Sequence, residues 1–328
     1  MGRRVYRYLA NRGIAITAFI DKNWRALGSF EETPVISVDI LGPEHSQDLI
    51  IFSILNHYIP TAPIINDLKK HAIEIWTMVD FVSIFPDGSI TCYWLASKEY
   101  MRAQRENYTK LSALLADEKS KQLVESIYTF RSTGDCSILP RPDPAEYSPS
   151  DLPRWKNPMR LIDCGAFTGD TIQRIMAEGY TIVEAIALEP DPDNFTQLTT
   201  ALPDINVINI PCGVARDQSQ LYFEEGKGLA SKLSTSGRKS IQCVSLSKLA
   251  PRFAPTLIKM DIEGAEIDAL EGAKDIIQLY SPGLAIALYH EPDHLWRIPL
   301  MIHEWNLGYK FYIRTHEEST FGTILYAI

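Results

Sequence analysis

The stretch Leu161-Ile162-Asp163-Cys164-Gly165-Ala166-Phe167-Thr168-Gly169-Asp170-Thr171 decides the fold. Two apolar residues run into an acid, then a small-residue turn, then a helical pattern. Ile172, Ile175 and Met176 share one face of that helix, and Gly179 ends it. This is a strand–turn–helix joint of a parallel α/β sheet, a fold that binds ligands outside the carboxyl ends of its strands. Gly165 and Gly169 permit a sharp turn and a close approach of backbone to ligand. Asp163 and Asp170 supply carboxylates at the cleft edge. About twenty residues further on, Ala185-Ile186-Ala187-Leu188-Glu189-Pro190 reads as a second strand ending in an acid. An acid there is placed to accept hydrogen bonds from both hydroxyls of a ribose.

A dinucleotide site asks for G-x-G-x-x-G, so that a pyrophosphate can sit on the helix start. Here Phe167 holds the second glycine position and Asp170 opens the helix. A carboxylate repels a pyrophosphate, which argues against a nicotinamide-dependent dehydrogenase. It attracts a cationic amino-acid ligand, and S-adenosylmethionine combines a sulfonium, an ammonium and a ribose. The competing reading is a buried strand and a capped turn that hold no ligand.

With 328 residues, 45% of them hydrophobic and 22% charged, the chain has the length for two domains and the composition of a globular protein with a sizeable core. A net charge of −9 argues against nucleic acid and against anionic membrane surfaces as partners. No apolar run reaches the ~18 residues a spanning helix needs. Met1-Gly2-Arg3-Arg4 leads into a mixed amphipathic stretch rather than a signal peptide. Five scattered cysteines without a C-x-x-C pair imply reduced thiols, a cytoplasmic location and no structural zinc. Self-association into a homo-oligomer is compatible with this composition.

Val5 and Leu9 start an amphipathic helix that ends near Asn11-Arg12-Gly13, and Ile14 to Asp21 reads as a buried strand ending in an acid. Helix, strand and acid in this order form the later half of a Rossmann unit whose first strand is missing, with Gly2 as the last glycine of its turn. The expectation is a chain that begins late and a sheet domain used for packing or dimerisation. Residues 34–37 and 48–54 continue that sheet, 60–70 form a turn and a helix, and 73–76 a further strand. Asn56-His57 reads as a solvated loop. Tyr100 to Phe130 is a helical block with a junction at Asp117–Ser120. Residues 140–158 hold six of the twenty prolines and form a linker or lid, in which Tyr147 and Trp155 anchor to the core. The domains expected are 1–98, 99–158 and 159–328.

Beyond the opening unit, Phe195, Leu198 and Leu202 mark a helix and Ile205–Ile210 a third strand, followed by Gly213 and Val214. Leu221–Phe223 reads as an edge strand, 226–237 as a polar surface loop or a substrate loop, and 241–246 as an edge or connecting strand. In Leu257-Ile258-Lys259-Met260-Asp261-Ile262-Glu263-Gly264-Ala265-Glu266 an apolar strand again ends in acids. Period two puts Lys259, Asp261 and Glu263 on one side while the strand lasts. Lys259 and Asp261 then either face the cleft or form a structural pair. Glu266 falls in the first helical turn, where the dipole favours an acid. Leu284 to Tyr289 leads to His290 at a strand's carboxyl end, and residues 309–314 and 323–327 form a closing antiparallel pair. Strand ends at 163, 189, 261 and 290 thus all carry ionisable groups.

Asp163–Thr171, Glu189-Pro190-Asp191, Ile258–Glu266 and Leu288-Tyr289-His290 together resemble the FkbM-type methyltransferases, from about Asp117 to Ile328. The N-terminal part is similar to a truncated Rossmann domain that often precedes such modules in surface-polysaccharide gene products. The resemblance implies a class I methyltransferase sheet: α/β, seven-stranded, Rossmann-like, last strand reversed. It implies S-adenosylmethionine as cofactor and a hydroxyl of a sugar, glycan or related metabolite as acceptor. Gly165, Ala166, Gly169 and Asp170 would line the cofactor's amino-acid part, within a motif that also brings Asp163, Phe167 and Thr171. Glu189, with Pro190 beside it, would hold the ribose, and Gly213 and Val214 would lie near the adenine. Asp261, Glu263 and His290 would face the acceptor. Methyl transfer to a hydroxyl benefits from a general base, and His290 alone has a free pKa near neutrality. Asp261 or Glu263 could orient that base, replace it, or bind a divalent metal, although no metal site is expected from the motif. The rival from another class is a non-catalytic module that keeps the fold to bind pathway partners.

Overall fold

The computed structural model describes residues 1–71, 74–202, 205–223, 233–234 and 239–328. The chain forms two compact units. The larger comprises Cys92–Trp94, Glu106–Glu125 and Arg141–Ile328. Its main sheet has seven strands: β1 (Met159–Cys164), β2 (Ile182–Leu188), β3 (Val207–Ile210), β4 (Leu257–Met260), β5 (Gly283–Ala287), β6 (Phe311–Thr315) and β7 (Thr323–Ala327). They lie in the order β6-β7-β5-β4-β1-β2-β3. β1 to β5 are parallel, and β7 runs antiparallel to both β5 and β6. This is the sheet of class I methyltransferases, with its reversed last strand.

Strands buried on both faces read as continuous apolar runs rather than alternating ones. Leu161, Ile162, Asp163 and Cys164 are all wholly buried, as are Leu257, Ile258 and Met260. The order reverses at β1, whose neighbours are β4 and β2. The carboxyl ends of β1, β2, β4 and β5 therefore crowd one edge, where a doubly wound sheet binds its ligands. Helix α1 (Asp170–Ala177) follows β1, α2 (Pro192–Ala201) follows β2, α3 (Glu266–Tyr280) follows β4 and α4 (His294–Glu304) follows β5. Ile172, Ile175 and Leu198 pack wholly buried in one core cluster with Tyr147, Leu152, Trp155 and Tyr326. Tyr147 and Trp155 thus anchor the proline-rich segment as expected. Met176 does not join that face: it is 41% exposed.

A smaller sheet has the order 233–234, 219–223, 239–244, 213–214. The strand Ser219–Phe223 has a neighbour on each side, so it is not the expected edge strand. Apart from Leu233–Ser234, the expected loop at 226–237 lies outside the described residues.

The other unit comprises Met1–Thr91, Leu95–Arg105 and Ser126–Pro140. Its first helix, Gly2–Ala10, buries Val5, Tyr8 and Leu9. The expected strand at 14–21 shrinks to Phe19–Ile20, the only part that finds a partner, pairing with Val35–Ile36. Ile14 and Ile20 are exposed, so this run is not buried. Nor do the described residues form one continuous sheet. Leu49–Phe52 and Glu74–Thr77 form a separate parallel pair around the crossover helix Thr61–Leu68. No helix among the described residues is long and apolar enough to cross a membrane.

Candidate functional site

The turn after β1 is built by backbone. Gly165 has φ +75°, and a Cβ there would fall 2.0 Å from the main-chain oxygen of Asp261, so a side chain is excluded twice over. The N–H groups of Gly165 and Ala166 both donate to Leu188 O, tying the turn to β2. Phe167 takes a left-handed φ of 47° and stands 52% exposed. Gly169, at φ 90°, is the N-cap of α1; Asp170 opens the helix and is exposed, while Thr171 is buried.

Glu189 meets this turn. Its Oε2 accepts the Phe167 N–H at 2.9 Å and its Oε1 accepts the Asp191 N–H at 2.9 Å. Burial pushes its pKa up, and these two backbone donors oppose the rise. Each carboxylate oxygen has lone-pair capacity left for a hydroxyl. Pro190, beside it, is part-buried. Gly213 and Val214 are both buried in the smaller sheet, paired with Cys243 and Val244.

Asp163 is wholly buried under the turn rather than at the cleft edge. Its partner is Lys259, whose Nζ lies 3.1 Å from Asp163 Oδ1 and donates to Gly165 O at 2.7 Å. The structural pair of Lys259 is therefore with Asp163 and not with Asp261. Burial raises the Asp163 pKa to about 6, with the ammonium pulling it back. Burial would lower Lys259, but Asp163 and Asp261 hold it above its usual value.

The second half of the site is built by side chains. β4 ends at Met260, so strand alternation carries only as far as Asp261; Glu263 is placed by a left-handed φ of 57°. His290 is 2% exposed. Its Nδ1 lies 2.7 Å from Glu266 Oε1. Its Nε2 faces Asp261 Oδ1 at 3.2 Å and Glu263 Oε2 at 3.8 Å, with no well-aligned hydrogen bond. Asp261 also accepts from Tyr289 OH at 3.2 Å and from Tyr147 OH at 3.3 Å. Glu266 is wholly buried and accepts the Ile262 N–H at 2.9 Å, and its Oε2 lies 3.3 Å from His294 Nδ1.

These contacts set the charges. Burial opposes a charged His290, yet Glu266 and Asp261 raise its pKa well above the usual value. Burial would raise Glu266, but His290 and His294 bring it well below the ordinary carboxylate range. Glu263 goes the other way: burial, with Asp261 and Glu266 nearby and His290 opposing, lifts it to about 7. Among the three groups expected to face the acceptor, Glu263 is thus drawn toward neutrality, while its acidic neighbours raise His290.

The structure thus brings Gly165, Ala166, Phe167 and Glu189 together, and Asp261, Glu263 and His290 together. Three partners escaped the sequence. Glu266 reads there as a helix-start acid, but it supports His290. Tyr147 reads as a core anchor, but its hydroxyl reaches Asp261. Tyr289 is a strand residue whose neighbour His290 is the one visible signal.

A sheet of this order, with a glycine turn and an acid at its switch point, defines the class I methyltransferase fold. Residues 163–311 match the family model described as the methyltransferase FkbM domain. The hexuronic acid methyltransferase AglP of Haloferax volcanii is 30% identical over 106 residues, which are 30% of this chain and 44% of that protein. The match thus spans less than half of that relative's length. A solved structure described as methyltransferase FkbM from Methylobacillus flagellatus KT is similar in fold. It has a TM-score of 0.80 at 22% identity, over 96% of this chain and 84% of that one.

Proposed function

We propose that the protein is a cytosolic S-adenosylmethionine-dependent methyltransferase that methylates a hydroxyl of a sugar, glycan or related metabolite, with catalysis carried by residues 159–328. The observation that supports this most directly is that the Asp261–Glu263–His290 corner adjoins the Gly165 turn, through the Asp261 main chain that packs against Gly165. Sugar as acceptor follows the relative that methylates hexuronic acid.

The residues fit the cofactor. Asp170 offers an exposed carboxylate to an ammonium, and Glu189 keeps acceptor capacity for a ribose. Gly213 and Val214 would border the adenine. When bound, the cofactor supplies an activated methyl group on a sulfonium. The remaining task of the chain is to position an acceptor oxygen in line and to take its proton. Asp261, held by two phenols, orients the acceptor hydroxyl. Glu263, with a pKa of about 7, is suited to accept the proton. His290 is a positioning residue, kept between Glu266 and the two acids.

The test is a melting experiment with S-adenosylhomocysteine. Ligand at about 100 times its dissociation constant stabilises by roughly 2.7 kcal/mol, which raises the midpoint by several degrees. Glu189→Ala abolishes the rise. No rise at millimolar ligand favours the non-catalytic binding module instead. Transfer of labelled methyl from S-adenosylmethionine to a sugar hydroxyl, absent in Glu263→Ala, completes the assignment.

A further inference from the structure

We infer that the corner at the carboxyl ends of β4 and β5 is a divalent metal site, with His290 Nε2, Asp261 and Glu263 as ligands. Asp261, Glu266 and His290 each bring a ligand atom within 4.8 Å of the others. Among these, Glu266 is engaged on the far side of the ring, its Oε1 lying 2.7 Å from His290 Nδ1. A carboxylate on one ring nitrogen fixes the tautomer and aims the other nitrogen at a metal. That other nitrogen, Nε2, belongs to a side chain only 2% exposed and makes no well-aligned hydrogen bond. It points at Asp261 Oδ1, 3.2 Å away, and at Glu263 Oε2, 3.8 Å away.

The separation from Asp261 is close to what an ion between the groups requires, and that from Glu263 is wider. Neighbouring donors around an octahedral ion with bonds of about 2.1 Å stand about 3.0 Å apart. The backbone at Glu263 takes a left-handed φ of 57°. It holds a side chain that is 42% exposed beside a buried imidazole, on the open side of the corner. One imidazole and two carboxylates suit a manganese-like ion better than calcium or magnesium, which prefer oxygen alone. Three protein ligands leave positions for an acceptor hydroxyl, whose acidity such an ion raises. That role rests on the methyl-transfer reading above. In it the acceptor oxygen bonds to the methyl carbon as the sulfur–carbon bond breaks, and the acidified proton passes to the carboxylate oxygen of Glu263 that does not ligate the ion. The ion binds whether or not that reading holds.

The experiment strips the full chain with EDTA, desalts it, and titrates Mn²⁺ while following the free-ion electron paramagnetic resonance signal. A single class of saturable sites is expected. It is lost in His290→Ala, weakened about 10- to 100-fold in Glu266→Gln, weakened in Glu263→Gln, and unchanged in Asp217→Asn, whose carboxylate pairs with Lys248 elsewhere. If His290→Ala fails to fold, Glu263→Gln, at a partly exposed position, carries the test. No saturable binding, or binding indifferent to both substitutions, overturns the site and leaves His290 as a charged clamp between acids. A parallel assay of methyl transfer with and without chelator separates the two claims. Mn²⁺ binding without transfer keeps the metal site and removes the proposed function. Transfer that survives chelation, with no Mn²⁺ bound, does the reverse.

Discussion

The turn after β1 and the corner after β4 and β5 belong to one sheet edge, yet they are made in opposite ways. The turn is a backbone object. Its geometry comes from Gly165 and Gly169, its ties are N–H groups on Leu188 O and Glu189, and its one buried charge pair lies beneath it. The corner is a side-chain object, in which three acids and one imidazole from two segments of chain hold each other. A backbone object tolerates few residue types at its critical positions. A side-chain object is tuned by charge and changes its state with pH. The lesson is that substitutions in the first should cost folding, and substitutions in the second should cost turnover.

The largest effect is expected below the turn. Lys259→Met leaves Asp163 buried without its cation, and breaking such a pair costs about 3–5 kcal/mol; chemical denaturation measures it. A loss under about 1 kcal/mol would show that the turn does not rest on this pair. Gly165→Ala comes next. Adding left-handed strain to a clash with Asp261 O costs about 2–5 kcal/mol, and S-adenosylhomocysteine binding should go with it. Full ligand affinity in a stable Gly165→Ala protein would dissolve the contrast between the two regions.

At the corner, Glu266→Gln keeps an acceptor for His290 Nδ1 but removes the charge. Turnover should fall by about 10²-fold while cofactor affinity holds, as read from kcat and from calorimetry. Equal losses in both would make Glu266 a part of the cofactor site. The smallest effect concerns Glu263. Its folded pKa of about 7 lies above the ordinary carboxylate value, so the fold prefers its neutral form. Its contribution therefore worsens as pH rises through the interval between the ordinary value and about 7. Glu263→Gln, measured in EDTA, should raise the melting midpoint at pH about 8 and leave it unchanged at pH about 5. Because this side chain is 42% exposed, the gain is on the order of 1 kcal/mol. An equal change at both pH values would remove the charge repulsion from the account.

The same contrast explains what could be read from sequence. Glycines at 165 and 169 and acids at 163, 170 and 189 are local, and a sharp turn between strand and helix admits few alternatives. The seven strands and the reversed β7 are what the resemblance to the FkbM-type family implies, in agreement with the antiparallel pair read in the tail. The corner was legible only in part. Asp261, Glu263 and His290 mark strand ends, but nothing local says that Glu266, one helical residue further, turns back to the imidazole. Tyr147 comes from a proline-rich segment far away in sequence. Asp163 was misplaced at the cleft edge because a strand-end acid reads alike whether it faces solvent or a buried Lys259. Ile14–Asp21 was overread because an apolar run does not reveal how much of it finds a partner strand; only Phe19–Ile20 does.

Asp261 belongs to both regions at once. Its main-chain oxygen occupies the space that a Gly165 side chain would need, its N–H donates to Cys164 O at 3.1 Å, and its carboxylate faces His290. A ligand that presses on the Gly165 turn therefore presses on the residue proposed to orient the acceptor. By thermodynamic reciprocity, whatever factor the first ligand imposes on the affinity for the second, the second imposes on the first. The expected signature is mutual: S-adenosylhomocysteine and the acceptor each change the other's dissociation constant by the same factor in calorimetry, and Asp261→Asn reduces both changes equally.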